Sequence, residues 1–428
     1  IRYSGIPSPI RAGCSIRTIK VPDEDHGAAP EWPVIDADLA ERVRLRKKYF
    51  TPEFFNRNIG NSLEGARVER VKFRRARLLG LSGSWMRRCD LTLSDGRAIA
   101  LVLKAARKGL TQEALFYCDL AAHVPIRIPR PYGLAPNPEP GGRDILIIEA
   151  LPHPLAPAQF TAGHVHAIAQ AIAKLHASFM ASEALEVTGW LPNAARLDRE
   201  NFKRRINNAL DALRSREKRM RYFPARLGDA GERMVRSAAD RIEALMEPLL
   251  SLPPTLIHGD LNPNNIIIPQ TAAHTCESQE VAFVDWQNVA VGPSVLDIVY
   301  LHHMSRYHGN DRWGRAIFGE PLTDWNELAA FYLDALEREM GRPFDREGFM
   351  AAAPAADAMI TLRAWVPLCG LAVEAGNVDF LWGRMGWLFR PLLRWAGIDE
   401  LFAELLARPV QRLEQECGTL SGRRFDGR

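Results

Sequence analysis

The chain has 428 residues, of which 47% are hydrophobic, 25% charged and 8% aromatic, a globular balance that excludes collagen-like, disordered and disulfide-scaffold classes. Its formal net charge is +4, too small at this length to announce nucleic-acid or membrane binding. No apolar run approaches the roughly 18 residues needed to cross a bilayer, so a soluble protein is expected, with two or three domains or one large bilobed unit.

The cysteines Cys14, Cys89, Cys118, Cys276, Cys369 and Cys417 form no CxxC pair and no zinc-ligand spacing. Scattered thiols in a chain able to bury its own core fit a reducing compartment. The first twenty residues carry Arg2, Arg11, Arg17 and Lys20 with no acid, which suits the remainder of an organellar presequence and equally a disordered basic tail. The cytoplasm is the expectation and the mitochondrial matrix the alternative.

Residues 1–35 are rich in proline and glycine and read as an extended arm. Asp36 to Ile59 reads as helical, with a second helix start at Thr51-Pro52-Glu53. From Val68 to Lys104 the pattern changes to strands: Val71 and Phe73 alternate with charged residues, Gly80 to Ser84 make a turn, and Cys89 to Leu93 extend. Ser94-Asp95-Gly96 is a hairpin turn, followed by an apolar strand over Ala98 to Lys104. Thr111 to Ala122 reads as a helix and Asp144 to Ala150 as a buried strand. Beyond it the pattern is helical over about 161–180, 198–250 and 323–416. Leu256 to Ile268 and Val281 to Trp286 interrupt it as two brief strands of one small hairpin. The organisation expected is an arm with a helix (1–50), a β-rich lobe (51–150) and a larger helical lobe (151–428).

The stretch that carries chemistry is His258-Gly259-Asp260-Leu261-Asn262-Pro263-Asn264-Asn265, followed by Val284-Asp285-Trp286-Gln287. Apolar residues fix both ends of the loop, so Asp260 and Asn265 project from a rigid frame. Asp285 ends the next strand. Two carboxylates and an amide make a hard, oxygen-only cation site that suits Mg²⁺ carried in with nucleotide phosphates. Phosphoryl transfer needs this set, because its transition state spreads charge over oxygens that metal and lysine neutralise. Asp260 is placed to orient an acceptor hydroxyl and take its proton, with Asn265 and Asp285 on the metal.

The β-rich lobe supplies the remaining charge. Lys104 ends the strand Leu101-Val102-Leu103-Lys104, and Glu113 lies nine residues on, where it can aim the ammonium at phosphates. The turn at Gly80, Ser82, Gly83 and Ser84 offers backbone N–H groups to phosphate oxygens, although it is glycine-poor and carries the bulky Trp85.

Together these residues resemble the aminoglycoside phosphotransferase and choline kinase superfamily. The Asp-Trp-Gln variant, with Phe116-Tyr117 after Glu113, is similar to its ecdysteroid-kinase-like (CHK-kinase-like) branch. The likeness runs from about Thr51 to at least Tyr300. It implies an α+β, bilobed, protein-kinase-like fold with ATP and Mg²⁺ as cofactors. It implies that Asp260 is the base, Asn265 and Asp285 the Mg²⁺ ligands, and Lys104 with Glu113 the phosphate-binding pair. Ile147 to Leu151, including Glu149 and Leu151, becomes the hinge beside adenine, and His258 becomes structural. Asp297 reads either as a brace for the catalytic loop or as a helix N-cap. The histidine of Lys174-Leu175-His176 packs and does not react.

Other signals are discounted. His164 and His166 sit two apart on a helix, so their rings diverge, and His302-His303 reads as surface. Nine basic residues against two acids over 203–226 could greet an anionic substrate, but a solvated helix face is the better reading. The function expected is phosphorylation of a hydroxyl on a small organic molecule, with no nucleic-acid partner and no transmembrane segment. The alternative is a catalytically silent kinase-fold subunit with a structural or interaction role in a larger assembly, cytoplasmic or mitochondrial, holding a protein partner through its N-terminal arm.

Overall fold

The computed structural model describes residues 47–363 apart from 80–84, 106–109, 139–143, 187, 195–198, 220–235, 237–238, 241, 273–276, 311–315, 319 and 361. Of the described residues, those up to 123 together with 128–152 form one compact unit; 124–127 and those from 153 onward form a second. The arm and the helix start at Asp36 lie outside the described residues.

In the first unit, helix α1 (Pro52–Ile59) begins where the sequence places it. The Thr51 hydroxyl accepts from the Phe54 N–H at 3.4 Å, and Pro52 stands in the first turn, where its missing N–H leaves no bond unmade. Strands β1 (Val68–Leu79), β2 (Trp85–Leu93) and β3 (Ala98–Ala105) follow, then the short helix α2 (Leu110–Leu115). Strands β4 (Pro131–Ala135) and β5 (Ile145–Glu149) complete an antiparallel sheet ordered β1-β2-β3-β5-β4. Alternation along β3 turns Leu101 and Leu103 into a core with Phe55, Ile59, Leu91, Leu93, Ile145 and Ile147. Lys104 therefore projects from the other face. Strand β4 leaves no clear trace in the sequence, because Pro131 and Gly133 break its pattern. It lies at the sheet edge, where a missing proline N–H is tolerated.

The second unit is mostly helical, with α3 (Ala162–Phe179), α4 (Arg199–Arg219), α5 (Ile242–Leu250), α6 (Val295–Met304), α7 (Trp325–Met340) and α8 (Arg346–Ile360). Val165, Ile168, Ile172 and Leu175 recur every three or four residues and bury the face of α3 that packs along α7. Helix α8 packs against α5 and α6. The expected single hairpin is replaced by two nested ladders. Outer strands β6 (Pro254–Ile257) and β9 (Ala290–Pro293) pair around inner strands β7 (Ile266–Ile267) and β8 (Ala282–Phe283). Two-residue strands are too short to register as an alternating pattern. A further ladder, β10 (Tyr307–Asn310) with β11 (Ala316–Phe318), has no counterpart in the sequence reading.

The fold is α+β, with a β-rich unit followed by a larger helical one. No helix among the described residues is long and apolar enough to cross a membrane.

Candidate active site

The loop leaving β6 is shaped by one glycine. Gly259 has φ +76°, and a Cβ there would stand 2.3 Å from the Asn288 carbonyl oxygen. Asn288 in turn reaches Asp260, its Nδ2 lying 3.4 Å from Oδ2. Gly259→Ala should therefore lower stability by about 2–4 kcal/mol, combining a left-handed backbone with an overpacked contact. A urea midpoint indistinguishable from that of the parent protein would overturn this reading of the loop.

Three donors hold the Asp260 carboxylate. Asn262 Nδ2 donates to Oδ1 at 2.8 Å, the Tyr300 hydroxyl donates to the same oxygen at 3.0 Å, and Asn288 approaches Oδ2. Asn262 also accepts from the Asn264 N–H at 2.9 Å and so caps the turn Pro263–Asn265. Withdrawal from water pushes the Asp260 carboxyl above the usual aspartate range. The Asn262 bond opposes that shift, and the nearby Asp285 charge adds to it. Burial and the Asp260 charge hold the Tyr300 phenol well above its ordinary range, so it stays a donor.

Asn265 and Asp285 belong to the same frame. Asn265 Nδ2 donates to the Asp260 carbonyl at 3.1 Å, and the Asn265 carbonyl accepts from the Val284 N–H at 2.9 Å. Asp285 follows in left-handed backbone, φ 64°, as the chain leaves β8. Asp285 lies close enough for its charge to act on Asp260, and Asn265 is tied to the Asp260 backbone, so two carboxylates and an amide share one region. Among the described residues, no three His, Cys, Asp or Glu side chains cluster to hold a metal alone. Two carboxylates and an amide are the incomplete oxygen set that Mg²⁺ accepts when phosphate and water complete its shell.

The frame is pinned from behind by Asp297, a fully buried carboxylate in the first turn of α6. It accepts from the His258 N–H at 2.8 Å and the Gly259 N–H at 2.9 Å, and meets His176 Nε2 at 3.2 Å. Ser294, not Asp297, stands at the N-cap position, and the Asp297 carboxylate is spent on the N–H groups of the loop. Tyr332 lies 2.8 Å from His176 Nδ1, and burial keeps its phenol protonated. Nε2 faces the acceptor-only carboxylate of Asp297, so Nε2–H is the donor of that contact. His258 lies between its own loop and β8, with Nδ1 accepting from the Asp260 N–H at 3.3 Å and Nε2 at 3.1 Å from the Val284 carbonyl. Trp286 covers its ring, the centroids 4.5 Å apart.

In the first unit, Lys104 Nζ and Glu113 Oε2 stand 2.7 Å apart, and both side chains are almost wholly buried. Glu149 accepts from the Arg130 N–H at 3.0 Å, and Arg88 reaches the Leu151 carbonyl at 3.5 Å. The turn at Gly80, Ser82, Gly83 and Ser84 lies outside the described residues.

The histidine readings divide. His164 is a buried capping residue, accepting from the Thr161 N–H at 2.9 Å, whereas His166 stacks on Phe331 at 4.5 Å. The surface reading of His302-His303 is corrected. His303 is buried and paired with Asp357 at 2.7 Å, and burial pulls His302 down to about 4. Helix α8 covers the C-terminal turn of α6, which no local pattern shows. Tyr300 and Asn288 also escaped the sequence reading. Tyr300 follows Asp297 by three residues, a helical spacing that puts both on one side of α6.

Residues 82–331 match the model of the phosphotransferase enzyme family, which is more than half of the chain. The chain belongs to that family. Similar solved structures include a candidate aminoglycoside phosphotransferase from Ralstonia eutropha (16% identity, TM-score 0.46, 83% of this chain and 97% of that one). Others are a macrolide 2'-phosphotransferase from Brachybacterium faecium (16%, TM-score 0.40, 76% and 97%) and a choline kinase from Streptococcus pneumoniae (13%, TM-score 0.40, 79% and 94%). A search among curated proteins found no match.

Proposed function

We propose that this phosphotransferase moves the γ-phosphoryl group of ATP to a hydroxyl of a small organic molecule with the help of Mg²⁺, and that it stands closest to the ecdysteroid-kinase-like branch. The observation that carries the reading is Asp260, held by Asn262, Tyr300 and Asn288 beside Asn265 and Asp285. A raised carboxyl with two good donors on one oxygen keeps the other oriented to receive a hydroxyl proton, and a pKa nearer neutrality suits a general base. Asn265 and Asp285 would hold the metal, which when bound supplies charge neutralisation on the phosphoryl oxygens.

Residues 51–150 are assigned to the nucleotide, with Lys104 aimed by Glu113 at phosphate oxygens and the segment ending at Glu149 and Leu151 beside adenine. The turn at Gly80, Ser82, Gly83 and Ser84 is assigned to the phosphates. Residues 151–428 are assigned to the acceptor, with His258 and Asp297 as supports. The scattered cysteines favour a reducing compartment, which we take to be the cytoplasm. A silent scaffold has no use for this set, since buried charges that hold nothing cost stability.

Mg·ATP at a hundred times its dissociation constant should stabilise the protein by about 2.7 kcal/mol. The unfolding temperature should rise by a few degrees, only with magnesium, and the rise should vanish in Asp285→Ala. No rise at millimolar Mg·ATP would sink the assignment.

A further inference from the structure

Of the three groups around the Asp260 carboxylate, Asn288 alone stays at a distance. Asn262 Nδ2 at 2.8 Å and the Tyr300 hydroxyl at 3.0 Å both close on Oδ1. Asn288 Nδ2 stands 3.4 Å from Oδ2, although a bond to an ionised oxygen shortens rather than lengthens. The gap does not come from a loose chain. Asn288 ends the turn Trp286–Asn288, which closes with the Val289 N–H donating to the Trp286 carbonyl at 3.2 Å. Its own carbonyl oxygen lies 2.3 Å from where a Cβ on Gly259 would stand, so the two backbones already meet as closely as a glycine allows.

The amide has no other employment. Among the described residues the Asn288 side chain makes no further hydrogen bond. Asp260 and Asn288 are half-buried, and Gly259, which touches both, is exposed, so this side of the loop is open. Oδ2 of the ionised base can only accept, and Nδ2 can only donate. A group held by both must donate and accept at a single atom. A neutral hydroxyl does so, whereas an ammonium only donates and an ether or carbonyl oxygen only accepts.

We propose that Asn288 is a catalytic residue that holds the reacting hydroxyl against the base, its Nδ2–H donating to the acceptor oxygen while the hydroxyl proton points at Asp260 Oδ2. This rests on the proposed phosphotransfer and narrows it: the site selects alcohols and rejects amines. In the step, the acceptor oxygen bonds the γ-phosphorus as the bond to the β-phosphate oxygen breaks. The electron pair of that bond leaves with ADP, and the acceptor proton passes to Oδ2.

The first test needs neither nucleotide nor magnesium and uses glycerol as the probe. Crystals of the parent protein and of Asn288→Ala are soaked in it and measured to a resolution that shows ordered water. The parent should hold a glycerol or water oxygen within hydrogen-bond reach of both Asp260 Oδ2 and Asn288 Nδ2, and the variant should lose it. A direct bond between Asn288 and Asp260 with no oxygen on the pair overturns the clamp. An oxygen seated identically in Asn288→Ala overturns it too.

The second test reads turnover. Hydroxylated compounds, each matched with the amine that replaces its hydroxyl, are screened by ADP release, with transfer to water as the baseline. Release should be confined to the alcohols and water. Asn288→Ala should lower kcat by about tenfold to a hundredfold, the cost of losing one positioning hydrogen bond, while KM for ATP stays within about twofold of the parent. Asn288→Gln keeps an N–H donor and should recover part of the loss. Amines turned over as well as alcohols overturn the proposal. A urea midpoint of Asn288→Ala far below that of the parent also overturns it, because a 3.4 Å contact contributes little to the fold and such a fall would make Asn288 a support. The Mg·ATP shift should survive in Asn288→Ala. Its absence from the parent would remove the phosphotransfer reading, and the glycerol crystals would still decide the clamp, so the two fail separately.

Discussion

Asp260→Asn should lower phosphoryl transfer by about 10²–10⁴-fold, the range that a positioned general base contributes. Asparagine has the shape of aspartate but cannot take a proton. Its amide oxygen can still accept from Asn262 and Tyr300 in place of Oδ1. Its NH₂ would then face Asn288, already the weakest of the three contacts at 3.4 Å. The loss of stability should stay near one hydrogen bond, about 1 kcal/mol. The Mg·ATP shift should persist, because Asn265 and Asp285 are untouched. Activity is read as single-turnover ADP formation with an acceptor found by the hydroxyl screen. Turnover within threefold of the parent would remove Asp260 from the role of base.

Asp297→Ala should be the most damaging single change to the helical unit, costing about 3–5 kcal/mol, the usual price of removing one partner from a buried charged network. One carboxylate satisfies the N–H groups of His258 and Gly259 and meets the His176 ring at 3.2 Å. Its removal strands buried donors in a space water does not reach, and each such donor carries its full desolvation cost. The loop bearing Asp260 loses its anchor at the same time, so activity should fall with stability. Asp297→Asn keeps one acceptor oxygen and should cost less than the alanine change. Denaturant midpoints of the three proteins measure this order. An alanine variant within 1 kcal/mol of the parent would mean that the loop is held elsewhere.

Much of the fold was legible because its causes are local. The helix start at Thr51-Pro52 needs a hydroxyl and a ring with no N–H, and both effects act within one turn. The alternation along β3 separates Leu103 from Lys104 whatever the rest of the chain does. The nested ladders were not legible, because β6 finds its partner only after the whole loop and the inner strands have intervened. Strand β4 was hidden by its proline and glycine.

The site divides in the same way. By itself the sequence determined which chemical groups are present and in what order: a carboxylate, an amide and a second carboxylate on one loop and strand end, and a lysine with a glutamate elsewhere. It did so because the types and spacing of those groups are set by the covalent chain. Only the tertiary structure decided what surrounds them. Tyr300 reaches Asp260 from α6, Asp297 anchors the loop from the same helix, and His176 joins that anchor from α3. It also buried His303 against Asp357. The physical reason is desolvation. A side chain's neighbours along the chain set its chemistry and its local geometry, whereas its exposure to water, and with it the cost of its charge, depends on distant elements packed against it.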